Sequence, residues 1–201
     1  TALISWLTGA TTRIGHNLRG RSLFYSHPVS SPRHLYYSAQ KKSNLLSALG
    51  IEVKDFQLKF FTNHQDDQKA DTILKQLKTN SNQYLISVSP VSRRDYKIWP
   101  ASRFSAICDF LINHYKSQIL FLWGPGEYHF VEAVRKGMKN KDLGDYAVPT
   151  LRETVALLKK VDLHIGNDNG PMHFANAAGI PSVAIFGRPL MKNWIEPDHR
   201  R

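Results

Sequence analysis

From about residue 84 onward, short β-prone apolar runs alternate with stretches in which apolar residues recur every three or four positions. That alternation is the pattern of βα units and predicts a parallel sheet flanked by helices. The runs "YLISVS" (84–89), "QILFLW" (118–123), "DYAV" (145–148), "VDLHIG" (161–166) and "SVAIFG" (182–187) predict five strands. Between the first two, Pro100 opens a helix in which Phe104, Ile107, Cys108, Leu111 and Tyr115 share one face. "EYHFVEAVRKGMK" (127–139) predicts a second helix that buries Phe130, Val131, Val134 and Met138. Thr150 and Glu153 have the spacing of a capping box, in which each side chain satisfies a backbone N–H at the start of a third helix. Pro171 at a first helical position and Gly179 as a stop bound a fourth. Five strands with four intervening helices make a doubly wound, Rossmann-like α/β half, and ligands of such sheets bind outside the carboxyl ends of the strands.

The first part of the chain is different. "RIGHNLRGRSLFYSHPV" (13–29) reads as basic and irregular, and "QKKSNLLSALGI" (40–51) as a helix. Residues 66–78 predict a helix with Ala70, Ile73, Leu74 and Leu77 inward, and "TNSNQ" (79–83) a linker. The expected division is a small unit over 1–58, a helix and linker over 59–83, and the Rossmann-like domain over 84–201.

Composition narrows this picture. With 201 residues and 42% hydrophobic positions the chain can bury a core. No apolar run approaches the ~18 to 20 residues that span a bilayer, so any membrane contact is expected to be peripheral. A single cysteine, Cys108, excludes an intrachain disulfide and sits among apolar residues at helical spacing, which reads as a buried structural thiol in a reducing compartment. The formal net charge of +11 points to an anionic partner. The excess is densest in residues 1–58, where seven Lys/Arg face two acids. The N-terminus has neither an initiator Met nor a signal-peptide pattern and reads as cut from something longer.

Three predicted strand-end loops carry chemistry. Ser89 to Pro100 sets Arg93, Arg94 and Lys97 just before a helix N-terminus, which suits a shared anion or, equally, a solvated basic loop. "WGPGEYHF" (123–130) has Gly124 and Gly126, which allow close approach of backbone to a ligand. Its Glu127 could accept hydrogen bonds from vicinal hydroxyls or simply favour the helix start. The third, "HIGNDNGPMHFANAAGIP" (164–181), ends a strand in Asn167-Asp168-Asn169-Gly170 with His173 near the next helical turn. Asp162, His164, Asp168 and His173 have no metal-ligand spacing, and the chain lacks both a G-x-S-x-G elbow and a Walker A loop. Sugar-hydroxyl recognition by Asp168, with phosphate recognition by the amides around Asn169 and Gly170, remains.

Together these loops resemble the family 9 glycosyltransferases, the heptosyltransferases that move heptose from ADP-heptose to the inner core of lipopolysaccharide. "KIWPASRFSAICDFL" resembles that family's K-x-W-P segment, "LWGPGE" its glycine-rich turn with an acid, and "TLRETVALLKKVDLHIGNDNGPMHFANAAGIPSVAIFG" its signature around the donor sugar. The resemblance implies a GT-B fold, chiefly its C-terminal Rossmann-like domain with the end of the N-terminal one. It implies a cytoplasmic enzyme, peripheral on the inner membrane, that uses no metal or cofactor, takes ADP-heptose or a related nucleotide sugar, and binds no nucleic acid. By position, Lys97 would neutralise the donor phosphates and Asp168 hold the heptose hydroxyls, as the catalytic pair. Glu127 would hold the ribose, and Ser89, Arg93, Arg94, Gly124, Gly126, Asn167, Asn169, Gly170 and Pro171 would complete the donor site, with His173 packed beneath. Arg13, Arg19 and Arg21 would face the acceptor.

Two features depart from the family. Its proposed general base lies in an N-terminal glycine-rich loop with no counterpart in this chain, so the resemblance implies an internal fragment, mainly the donor-binding part. In "DYAVPTLRE" the Gly-Lys-Thr/Ser of many relatives is missing, and the adenine and phosphate contacts expected there are not carried over. The competing expectation, from the charge alone, is a non-catalytic module that binds an anionic surface or nucleic acid through Arg13, Arg19, Arg21 and Arg33.

Overall fold

The protein is represented by a computed structural model, which describes residues 2–31, 37–187 and 191–195. Arg33 lies outside them. The described residues fall into two compact units, 58–187 and the remainder.

In the smaller unit, helix α1 (Ala2–Leu7) precedes two three-residue strands, β1 (Ile14–His16) and β2 (His27–Val29), which pair in parallel. The segment expected to be irregular therefore contains a small sheet, joined through a 3-10 turn at Arg21–Phe24. The helix expected over 40–51 is divided. Helix α2 (Ser38–Ser43) gives way to a 3-10 stretch at Asn44–Leu49, and Gly50 at φ 72° ends it.

The larger unit begins with helix α3 (His64–Gln76), two residues earlier than the apolar spacing suggests. An Asn63/Asp66 capping box starts it: Asn63 Oδ1 accepts from the Asp66 N–H at 2.9 Å, and Asp66 Oδ2 accepts from the Asn63 N–H at 2.8 Å. Residues 79–83, expected as a linker, are tied to the sheet by a reciprocal pair between Asn80 and Gln118, at 2.9 and 2.7 Å.

Four parallel strands follow: β3 (Leu85–Ser89), β4 (Gln118–Phe121), β5 (Leu163–Asn167) and β6 (Ser182–Ile185), in the order β4-β3-β5-β6. Helices α4 (Ala101–Tyr115), α5 (Tyr128–Arg135), α6 (Leu151–Leu158) and α7 (Gly170–Ala177) connect and cover them. Because successive strand residues point to opposite faces, two cores result. Leu85, Leu120 and Leu122 pack with α3, α6 and α7, whereas Ile86, Val88, Phe121 and Ile165 pack with α4 and α5.

The third expected strand, at 145–148, does not form. Its residues pack by side chain instead. Tyr146 is buried and donates its hydroxyl to the Phe121 carbonyl at 2.6 Å, while Asp145 is held by Arg135 and by the Tyr128 hydroxyl. On α4, Phe104, Cys108 and Leu111 are buried as expected, but Tyr115 is 51% exposed. The core stripe is completed by Ile107 and Ile112, and Tyr115 meets Phe110 and His114 at the surface. Burial drives the Cys108 thiol up to about 12, so it is an unreactive core group. On α5, Val131 and Val134 are fully buried and Phe130 only partly so; the helix ends at Arg135, short of the 139 expected, and Met138 packs partly buried against the core from beyond it. The Thr150/Glu153 capping box is present.

Candidate functional site

The carboxyl ends of β3, β4 and β5 open into a cleft of about 530 Å³ within the larger unit. Three strand-to-helix connections build it, as a parallel doubly wound sheet requires.

The connection after β5 turns sharply because Asn169 caps α7. Its backbone is extended, its Oδ1 accepts from the Met172 N–H at 3.3 Å, and Pro171 sits in the first helical turn, where a missing N–H costs nothing. Asp168, just before the cap, is 8% exposed. Its Oδ2 lies 2.6 Å from Nζ of Lys97, on the connection after β3. A partly buried pair at this distance gains more from charge attraction than a solvated one would. Arg93 and Arg94 line the same cleft, so three cations gather in front of the α7 N-terminus. Burial holds the His173 imidazole below its usual pKa. The charge on Asp168 works against this and Lys97 reinforces it. His173 itself does not line the cleft.

On the opposite side, the connection after β4 carries Gly124 and Glu127. Glu127 Oε2 accepts from the Gly124 N–H at 2.9 Å, and the Glu127 N–H donates back to the Gly124 carbonyl at 3.1 Å. Gly126 adopts φ 78°, a left-handed conformation that glycine takes without strain. It is exposed and shapes the turn without lining the cleft.

Most of the expected donor residues thus converge: Arg93, Arg94 and Lys97 from one connection, Gly124 and Glu127 from the second, and Asp168, Asn169, Gly170 and Pro171 from the third. Ser89 and Asn167 do not. Both are fully buried with their side chains engaged. Ser89 Oγ accepts from Asn169 Nδ2 at 2.9 Å, and Asn167 bonds backbone groups of residues 90 and 99. Arg13, Arg19 and Arg21 belong to the smaller unit. The Arg13 guanidinium is occupied with the carbonyls of Phe24 (2.9 Å) and Ala10, while Arg19 and Arg21 are exposed.

Sequence reasoning passed over the apolar side of the cleft, formed by Trp123, Leu122, Pro149, Leu151 and Phe174. Only Trp123, immediately before the glycine turn, carried a local signal. Among the described residues no three His, Cys, Asp or Glu side chains are arranged to hold a metal, and no helix is long and apolar enough to cross a membrane.

A parallel doubly wound sheet with a cationic cleft at its strand ends defines a Rossmann-like ligand-binding domain. The chain belongs to glycosyltransferase family 9 (heptosyltransferase), whose profile matches residues 1–197. It is 35% identical over 128 residues to lipopolysaccharide heptosyltransferase 1 of Campylobacter coli, a match covering 60% of this chain and 37% of that protein. Its fold is of the GT-B type. It superposes on a family 9 glycosyl transferase from Veillonella parvula with a TM-score of 0.75 at 22% identity, covering 100% of this chain and 65% of the other. It matches the ADP-heptose lps heptosyltransferase II of Escherichia coli with a TM-score of 0.66 at 16% identity, over 92% of this chain and 59% of that one. The chain therefore spans only part of the length of each of these relatives.

Proposed function

We propose that this chain is the donor-binding part of a glycosyltransferase that moves heptose from ADP-heptose, or a closely related nucleotide sugar, to the inner core of lipopolysaccharide. The observation that carries this reading is the Lys97–Asp168 pair, 2.6 Å apart at the mouth of α7 with Arg93 and Arg94 beside it. Breaking the bond between sugar and diphosphate builds negative charge on the departing ADP. A fixed cation and helix amides facing that charge stabilise it without reorganising. Pro171 has no N–H and Met172 gives its own to Asn169, which leaves the amides of Asn169 and Gly170 for the phosphates. Asp168, its carboxylate held by Lys97, accepts from heptose hydroxyls. Glu127 uses one oxygen on Gly124 and offers the other to the ribose. The apolar side of the cleft, with Trp123 and Leu151, suits a purine. The acceptor is a phosphorylated lipid at a membrane surface, and the exposed Arg19 and Arg21 suit such a partner.

Calorimetry of the chain with ADP and with ADP-heptose tests the reading. Both should bind. Asp168→Ala should weaken ADP-heptose by about tenfold more than ADP, the worth of roughly one hydrogen bond to a charged group. Equal losses would remove the sugar role from Asp168, and no binding of either ligand by the unaltered chain would remove the donor reading.

A further inference from the structure

Lys97 meets Asp168 only while the segment Pro90–Trp99 keeps its shape, and that segment has little regular structure of its own. It contains one 3-10 turn, Asp95–Lys97, closed by Lys97 N–H to the Arg94 carbonyl at 2.9 Å and Ile98 N–H to the Asp95 carbonyl at 3.0 Å. It also carries Arg93, Arg94 and Lys97 against a single acid, Asp95. Its two ends are joined by a side chain from another strand. Asn167, 0% exposed at the end of β5, accepts from the Trp99 N–H at 3.1 Å and donates through Nδ2 to the Pro90 carbonyl at 2.8 Å. An amide suits this position because it presents a donor and an acceptor side by side. A carboxylate would set an oxygen against the Pro90 carbonyl, and an apolar side chain would leave that buried carbonyl and the part-buried Trp99 N–H unmatched.

Neighbouring contacts act in the same direction. Asn169 Nδ2 donates to the Val91 carbonyl at 2.9 Å. The Trp99 ring meets Phe104 edge-on, with centroids 5.1 Å apart, and so anchors the far end of the segment in the core. At the end of β6, Gly187 lies so close to the segment that a Cβ there would run into the Tyr96 carbonyl, next to Lys97. The two asparagines of Asn-Asp-Asn thus grip the segment that presents Lys97, while the aspartate between them meets the lysine itself.

We propose that Asn167 is a positioning residue: its amide fastens the two ends of Pro90–Trp99 and so holds Lys97 at the phosphate position, without touching the nucleotide sugar. This rests on the donor reading above. The test is a double-mutant cycle on the 201-residue chain, read by ADP calorimetry and by hydrogen exchange at the Trp99 amide. Asn167→Ala should weaken ADP by roughly fivefold to tenfold in the unaltered background but by less than about twofold in Lys97→Ala, because the two changes remove the same interaction. In the same variant the Trp99 amide should exchange at least about tenfold faster, while amides within β4 keep their rates.

A full loss retained in the Lys97→Ala background would mean that Asn167 touches the ligand, and would overturn the proposal. Unchanged exchange at Trp99 would overturn it too. Should Asn167→Ala fail to fold, Gly187→Ala carries the same cycle, since it pushes the Tyr96–Lys97 backbone and leaves Asn167 intact. A loss that does not depend on Lys97 overturns the proposal there as well. Should the unaltered chain bind neither ADP nor ADP-heptose, the donor reading falls, and the Trp99 amide still decides whether Asn167 fastens the segment.

Discussion

Two turns enter the same cleft and are held in opposite ways. The turn after β4 holds itself: Gly124 and Glu127 exchange hydrogen bonds across three residues, and the aromatic rings beneath it, Trp123 against Tyr128 and Tyr146, come from the same stretch of chain. The turn after β5 is held from a distance. Asn167 and Asn169 bond groups that lie 68 to 80 positions earlier in the chain. Damage to the first turn should therefore stay local. Damage to the second should spread, because the strand leading into it and the segment facing it are one buried polar assembly.

The largest test of that difference is acid. His164 lies in β5, three residues before Asn167, with its Nδ1 2.9 Å from Ser87 Oγ and its Nε2 buried without a partner among the described residues. Burial pushes its pKa from about 6.5 down to about 4. The unfolded chain therefore takes up a proton more readily than the folded one. Stability from this residue is complete above pH ~6.5 and is lost as the pH falls toward 4, by on the order of 3 kcal/mol in all. His164→Gln keeps a hydrogen-bonding partner for Ser87 and should flatten that part of the acid limb in urea unfolding between pH 7 and pH 4. The same slope in both proteins would mean that the imidazole is not insulated from water and that the β5 side is no more dependent on its interior than the β4 side.

The β4 turn was also the more legible one in the sequence. Its glycines, its acid and its helix lie within a few residues, and local spacing is what periodicity and turn chemistry read well. For the β5 turn, the strand, the Pro171 start and the importance of Asp168 could be read the same way. The partner of Asp168 and the work of Asn167 could not, because both depend on which strand pairs with which: Ser89 stands opposite Gly166, and that register brings residues 89–99 beside 167–169. In the sequence Asn167 reads as a ligand contact, because asparagine beside aspartate at a strand end is polar and near the cleft. Its complete burial assigns it to the backbone instead. The absent strand at 145–148 has the same origin: "DYAV" is short and apolar enough, but Arg135 and the Phe121 carbonyl recruit its side chains and no ladder forms. Tyr115 is exposed although helical spacing sets it on the buried face, because spacing alone does not say where the sheet ends beneath the last turn.

A smaller effect comes from Gly126, where φ is 78° and a Cβ would meet nothing within 4 Å, so the cost of Gly126→Ala is conformational and amounts to about 1 kcal/mol. If the turn is self-contained, urea unfolding should show that loss while exchange at the Trp99 amide stays unchanged; faster exchange there would show the two turns to be coupled. Smallest of all should be Glu127→Gln. Its amide oxygen can still accept from the Gly124 N–H, so the turn survives and stability should change by less than about 0.5 kcal/mol. What the substitution removes is charge, 2.9 Å from a backbone donor at the edge of the cleft. ADP binding should therefore weaken by about twofold to threefold, since a neutral acceptor holds a ribose hydroxyl less strongly than a carboxylate does. A stability loss near that of Gly126→Ala would mean that the charge itself, and not the shape of the hydrogen bond, keeps the turn closed. The contrast would then lie between an electrostatic turn and a hydrogen-bonded one, and no longer between a local and a distant one.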